Sequence, residues 1–254
     1  MSRTAVIVSG SLRHLVNASS SWCIPGDYFL IVDQNIQASQ GSDILGNSFS
    51  ILAEDLKKCH VKFISANVSI DNKLPAGFEV NSSANMIAKW RLALHQIEAY
   101  KHLGYDKIVI LRPDIYIRKK APIIEFDNVQ LENDVIYSTV NVTPKNDTML
   151  PIMNDVLLVA NMYTYTRFVN ELYWFYLERH KEMALKGYDV HSIMAEFVKD
   201  RKFEVSNLLD KFFEFTILRD NSTDMFDSSG ILKPIYSYRE LVQRGDTWWK
   251  QKYG

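Results

Sequence analysis

Three short polar clusters in this sequence each follow an apolar run. Ser9-Gly10-Ser11-Leu12-Arg13 follows Ala5 to Val8, Asp33 follows Tyr28 to Val32, and Arg112-Pro113-Asp114 follows Lys107 to Leu111. An arginine offers a planar fork of donors that matches a phosphate. A carboxylate at the exit of a buried strand can hold a divalent metal, and such a metal neutralises a diphosphate leaving group. Gly10 lets the backbone come close to an anion, the amides after it can face that anion, and Arg13 adds charge. The first cluster lacks the spaced glycines of a dinucleotide fingerprint and the Gly-Lys-Ser/Thr of a P-loop. Arg112 also reads as one half of a surface ion pair with a carboxylate, which needs no ligand at all.

The elements that would position these clusters alternate between strand and helix. Ala5–Val8 and Tyr28–Val32 are continuous apolar runs of the kind found inside parallel sheets. A helix is predicted over 42–58, a strand over 61–64 and a loop over 67–82, where Pro75 and Gly77 stand. The clearest helix runs from about Ser83 to Leu103. Met86, Trp90, Leu94 and Ile97 make one apolar face, and Gly104 marks its stop. Further strands are predicted at 107–111, 135–140, 156–160 and 213–218. Helices are predicted over 163–186, before Gly187, and over 189–199. Arg118-Lys119-Lys120 reads as a solvated loop after a strand. This order argues for an α/β fold with a mostly parallel central sheet and helices on both faces. In such sheets ligands bind beyond the carboxyl ends of the strands, so the three clusters could meet in one cleft. Arg219, just past the last predicted strand, would be a third phosphate contact.

Ser9-Gly10-x-x-Arg13 after the first strand, Asp33 after the second, a helix bearing Lys89-Trp90, and Tyr105 to Ile115 come in a familiar order. Together they resemble bacterial and viral GT-A-type glycosyltransferases. In those proteins a stretch like that ending in Arg112-Pro113-Asp114 takes the place of the Asp-x-Asp metal motif. The resemblance spans about residues 4–35 and 85–220. It implies a GT-A-like, Rossmann-type sandwich and the transfer of a hexose from a nucleotide-sugar, a UDP-sugar in the first place. The acceptor would be a glycan or glycolipid hydroxyl. It implies that Ser9, Gly10, Arg13, Asp33, Lys89, Arg112 and Arg219 serve the nucleotide. Asp114 would ligate Mn2+ or Mg2+. Arg112 stands where the first Asp of the metal motif would be, and a guanidinium there can stabilise the diphosphate directly. Asp155 would contact the donor sugar, and Asp189 or His191 would lie near the acceptor, where a base takes the hydroxyl proton. Asp189 also reads as a plain helix N-cap, and His191 as a helix-face histidine.

The bulk composition fits one domain over 1–254. Its nucleotide half is about 1–112, its donor-sugar and acceptor half 113–235, and its tail 236–254. A formal net charge of -1 excludes the basic footprint of a nucleic-acid binder. No apolar run is long enough for a transmembrane segment. No signal peptide is read at Met1, and only Cys23 and Cys59 could form a disulfide, so a cytoplasmic location is expected. The Asn-x-Ser/Thr sequons at Asn17, Asn67, Asn81, Asn141, Asn146 and Asn221 then read as composition. The dense aromatics of Tyr163 to Tyr176 read as helix packing or as a sugar-stacking wall. Trp248-Trp249, beside Lys250, is open to peripheral membrane contact or to docking on the domain. Two other readings stand beside the transferase. One is a non-catalytic nucleotide- or glycan-binding module on the same fold. The other is a nicotinamide oxidoreductase, which the missing glycine pattern disfavours.

Overall fold

The computed structural model describes residues 3–10, 15–19, 21–22, 24–32, 62–63, 82–119, 126, 128–141, 152–185 and 190–217. The strands are β1 (Thr4–Gly10), β2 (Asp27–Val32), β3 (Lys62–Phe63), β4 (Lys107–Leu111), β5 (Ile115–Lys119), β6 (Val135–Asn141), β7 (Ile152–Asn161), β8 (Glu204–Ser206) and β9 (Phe213–Ile217). The helices are α1 (Leu15–Ser19), α2 (Ser82–Ala99), α3 (Met162–Leu185) and α4 (Val190–Arg201), with 3-10 turns at Lys101–Leu103 and Leu208–Lys211.

Among the described residues the main sheet has seven strands in the order β3-β2-β1-β4-β7-β6-β8. Its pairings are parallel except those that β7 makes with β4 and β6. The chain therefore has the mostly parallel α/β sheet that its apolar runs predict. Thr4 to Ser9 are all buried, which is why β1 reads as unbroken hydrophobic sequence and not as an alternation.

Alternate residues of these strands feed two cores. Ala5, Ile7, Phe29, Ile31, Ile108 and Ile110 pack with α2, α3 and α4 on one side of the sheet. Trp90, Leu94 and Ile97 of α2 are each 1% exposed, so the predicted apolar face is the buried one. Phe197 of α4 is in edge contact with Phe168 and Phe175 of α3, and Tyr165 donates to the Trp90 carbonyl at 2.8 Å. The aromatic stretch therefore packs inward in large part, although Tyr163 and Trp174 are exposed. Gly104, at φ 67°, ends the turn after α2 as a left-handed cap.

On the other side, Val6, Val8, Leu30, Val109 and Leu111 meet Leu15 and Ala18 of α1, Trp22, Phe126 and Phe213. Among the described residues this face is covered by the short α1 and by a separate two-stranded sheet of β5 and β9, not by long helices. Trp22 Nε1 donates to the Ile115 carbonyl at 2.6 Å and ties this layer to the chain as it leaves β4.

Several boundaries differ from the sequence reading. Arg118 and Lys119 lie in β5, paired with Glu214 and Phe213, and not in a loop. β7 begins at Ile152, so Asn154 and Asp155 are inside the strand and not before it. β9 belongs to the small sheet, and β8 had no counterpart in the predicted elements. The expected helix at 42–58 and the tail with Trp248-Trp249 lie outside the described residues, as does the expected loop over 67–82 except for Ser82, which opens α2.

The amino ends of the strands are closed by a structural lock. Arg3 Nη2 lies 2.5 Å from Asp27 Oδ2, and Tyr105 Oη donates to the same oxygen at 2.8 Å. Gly26 enters β2 at φ 157°, and a Cβ there would stand 2.6 Å from the Thr4 carbonyl oxygen. Backbone atoms cannot yield as a flexible side chain does. Gly26→Ala is expected to destabilise the fold by about 2 kcal/mol, within the usual cost of a strained backbone position. Urea unfolding checks this, and an unchanged midpoint would contradict it.

Candidate functional site

β4 stops at Leu111, and Arg112-Pro113-Asp114 turns the chain out of the main sheet into β5. The turn closes with Ile115 N donating to the Arg112 carbonyl at 3.3 Å. Pro113 suits this turn because its fixed φ is already that of an early turn position, and it has no N–H to leave unpaired. It is buried against the end of β1, where a Cβ on Gly10 would come within 2.9 Å of Pro113 Cδ. Glycine at φ 148° is what allows β1 and the turn to approach so closely.

This turn aims a short chain of charges. Arg112 Nε and Nη2 donate to the two carboxylate oxygens of Asp114 at 3.1 and 2.6 Å. Nη1 of the same guanidinium lies 3.7 Å from Asp155 Oδ2. The other oxygen of Asp155 is 3.8 Å from His191 Nε2. The sheet register explains the meeting. Leu111 pairs with Leu157 across the antiparallel β4–β7 ladder, so Asp155 falls just past the end of β4, beside the turn. α4 packs on β7 and carries His191 in its first turn.

Burial is uneven along the chain. The Asp114 side chain is 4% exposed, Asp155 13%, Arg112 25% and His191 37%. The group therefore opens toward solvent on the Arg112 and His191 side. Burial works against the Arg112 charge, but Asp114 and Asp155 more than offset it, and its pKa is raised. The guanidinium is a permanent cation here. The ion-pair reading of Arg112 is also what the structure contains, although the pair is part-buried and its partner is Asp114 itself.

Ser9 stands at the same end of the sheet. It is buried, and its Oγ finds no hydrogen-bond partner among the described residues. α2 links the parallel strands β3 and β4, so it begins at their carboxyl end. Its first turns carry Asn85 and the buried Lys89, and α2 packs on β1 and β2. Asn85 Oδ1 is a second buried acceptor without a partner among the described residues. Sequence reading missed Asn85. The signal was available in retrospect, since it stands one helical turn before Lys89 on the same face.

The sequence-predicted residues thus divide. Arg112, Asp114, Asp155 and His191 form one contiguous group. Ser9 and Gly10 sit at the same end of the sheet, while Lys89 is buried as the eighth residue of the 18-residue α2. Arg13, Asp33, Asp189 and Arg219 lie outside the described residues.

The expected divalent metal can be tested against this donor set. Both Asp114 oxygens already accept from a guanidinium, and the next carboxylate, Asp155, lies between the same guanidinium and His191. Among the described residues no group of three His, Cys, Asp or Glu could hold a metal ion. A divalent ion at Asp114 would sit within a few ångströms of a fixed cation, where even two unit charges repel by ~4 kcal/mol in partly screened surroundings. The described residues do not fit a metal bound at Asp114.

An open groove elsewhere, along Met162, Tyr163, Thr166, Arg167, Asn170 and Glu171, is separate from this group. It lies at the start of α3. Asn161 pairs with Lys107, so that groove is at the opposite end of the sheet. No helix among the described residues is long and apolar enough to cross a membrane. No family model matches the chain, and no curated protein matches it.

Proposed function

We propose that this chain is a GT-A-like glycosyltransferase that moves a sugar from a nucleotide-sugar, a UDP-sugar in the first instance, to a glycan or glycolipid hydroxyl. The observation that carries this reading is the contiguity of Arg112, Asp114, Asp155 and His191 at the carboxyl end of β4, with a Ser9 hydroxyl at the carboxyl end of β1 that has no hydrogen-bond partner among the described residues. In an α/β sheet that is where a ligand is bound.

Each residue has a task in the proposed reaction. Ser9, Lys89 and the N–H groups of Arg112 that Asp114 does not engage hold the diphosphate. Charge grows on that diphosphate as the sugar–phosphate bond breaks, and a pre-placed guanidinium stabilises it without reorganisation. Asp114 holds the guanidinium in one orientation. Asp155, braced by strand β7, faces the donor sugar. His191, or Asp189 two residues before it, takes the acceptor proton.

Two experiments test the assignment. A panel of nucleotide-sugars incubated with the protein should show one that releases nucleoside diphosphate, and release from none of them would remove the reading. Within an active pair, Asp155→Asn should raise the donor KM more than it lowers kcat, because a sugar contact acts in both ground and transition states. A kcat loss with unchanged KM would move Asp155 out of the donor site.

A second reading is a binding module that keeps the fold without turnover. It draws on one observation, the full engagement of both Asp114 oxygens by Arg112. Nucleotide-sugar binding with no release on prolonged incubation would favour it.

A further inference from the structure

We propose that Arg112 stands in the place of the divalent cation, so that this chain binds the diphosphate of its nucleotide without metal. The inference rests on the nucleotide-sugar reading above and deepens it. Asp114, the residue that resemblance makes a metal ligand, has both oxygens engaged by Arg112 at 3.1 and 2.6 Å. Its side chain is 4% exposed, and its backbone is held in a turn whose Pro113 is packed against Gly10. It has little freedom to turn away from Arg112 toward an incoming ion.

Asp155 is no freer to serve, since it faces the same guanidinium at 3.7 Å and His191 at 3.8 Å. Each carboxylate of the group therefore already lies against a basic side chain. Arg112 engages Asp114 through Nε and one Nη2 hydrogen bond, and Nη1 lies beyond hydrogen-bond distance of Asp155. Three of its five N–H groups are not used on Asp114 and its side chain is 25% exposed, and a guanidinium edge of that kind matches two oxygens of a phosphate. One guanidinium does not balance a diphosphate. At the same end of the sheet Ser9 Oγ adds a neutral donor.

The test is calorimetric titration of the full chain with UDP, GDP, ADP and CDP. It is run first in EDTA and then with millimolar Mg2+ or Mn2+ in its place. The expected result is that at least one nucleoside diphosphate binds in EDTA, with an affinity that metal changes by less than about threefold. Arg112→Lys keeps the charge but loses the fork. It is expected to weaken that binding at least about tenfold, with no recovery on adding Mn2+, while circular dichroism stays unchanged.

Binding that appears only with metal, or tightens about tenfold or more with it, overturns the inference and leaves the nucleotide-sugar reading standing. Undiminished metal-free binding by a folded Arg112→Lys protein overturns it too, because another group then carries the phosphate. Binding of none of the diphosphates in either buffer overturns this inference and the nucleotide-sugar reading together.

Discussion

Arg112→Ala is expected to cost about 3 kcal/mol of stability and to slow sugar transfer by ~10²–10³. The stability loss comes from what stays behind. Asp114 is 4% exposed and loses both of its donors, while Asp155 loses the cation 3.7 Å away. Removing one partner of a buried pair costs ~3–5 kcal/mol, and the openness of Arg112 on one side puts the expectation at the lower end. For a domain of this size that is a fall of about 6–12 °C in Tm. The activity loss is a separate effect. Deleting a donor that faces developing charge lowers kcat by ~10²–10³. Calorimetric melting and transfer rates below the new Tm separate the two. A variant with wild-type Tm and rate would show Arg112 to be a dispensable surface ion pair.

His191→Gln is expected to do the opposite, sparing the fold and losing the chemistry. His191 is 37% exposed and faces Asp155 across 3.8 Å, so its removal leaves no deeply buried charge. If it takes the acceptor proton, transfer should fall by ~10²–10⁴, the usual worth of a general base. The donor KM should hold, because the base acts in the transition state. Asp189 is the rival for this role. Transfer at the wild-type rate by His191→Gln, with loss in Asp189→Asn, would assign the proton to the aspartate. Full activity in both variants would point to a retaining mechanism with no enzymic base on the acceptor.

The strands that position the site were the legible part of the sequence. Lys107–Leu111 is read to the residue, because a strand buried on both faces leaves an uninterrupted apolar run and Pro113 stops it. The helix read from about Ser83 to Leu103 was plain from Trp90, Leu94 and Ile97, although its α-helical part ends at Ala99 and Lys101–Leu103 is a 3-10 turn. What local pattern could not give was pairing. β5 was missed because Pro113-Asp114 reads as an ending and Arg118-Lys119 as solvated charge. Its strand character comes from β9, about a hundred residues later. The antiparallel course of β7 also has no local signal. Its first half carries Asn154 and Asp155, which broke the apolar run and hid four residues of strand, Ile152–Asp155.

The candidate site divides along the same line. Arg112 and Asp114 are neighbours in sequence, and the exit of a buried strand is a known place for chemistry. Asp155 and His191 were chosen by resemblance. Their approach to Arg112 follows from the β4–β7 register and from the packing of α4 on β7, which only the folded chain contains. Asn85 was overlooked because a polar residue in a first helical turn is ordinarily solvated, whereas its Oδ1 is buried in the folded chain.

The central claim is that a nucleotide diphosphate sits at the carboxyl end of β1 and β4, against Arg112. A crystal structure of the chain with the nucleoside diphosphate that its preferred donor releases tests this most directly. The account predicts phosphate oxygens within hydrogen-bond distance of Arg112, and Asp155 and His191 facing the place where the sugar would leave. A nucleotide bound in the groove along Tyr163 and Arg167, at the opposite end of the sheet, with the Arg112 turn untouched, would contradict it.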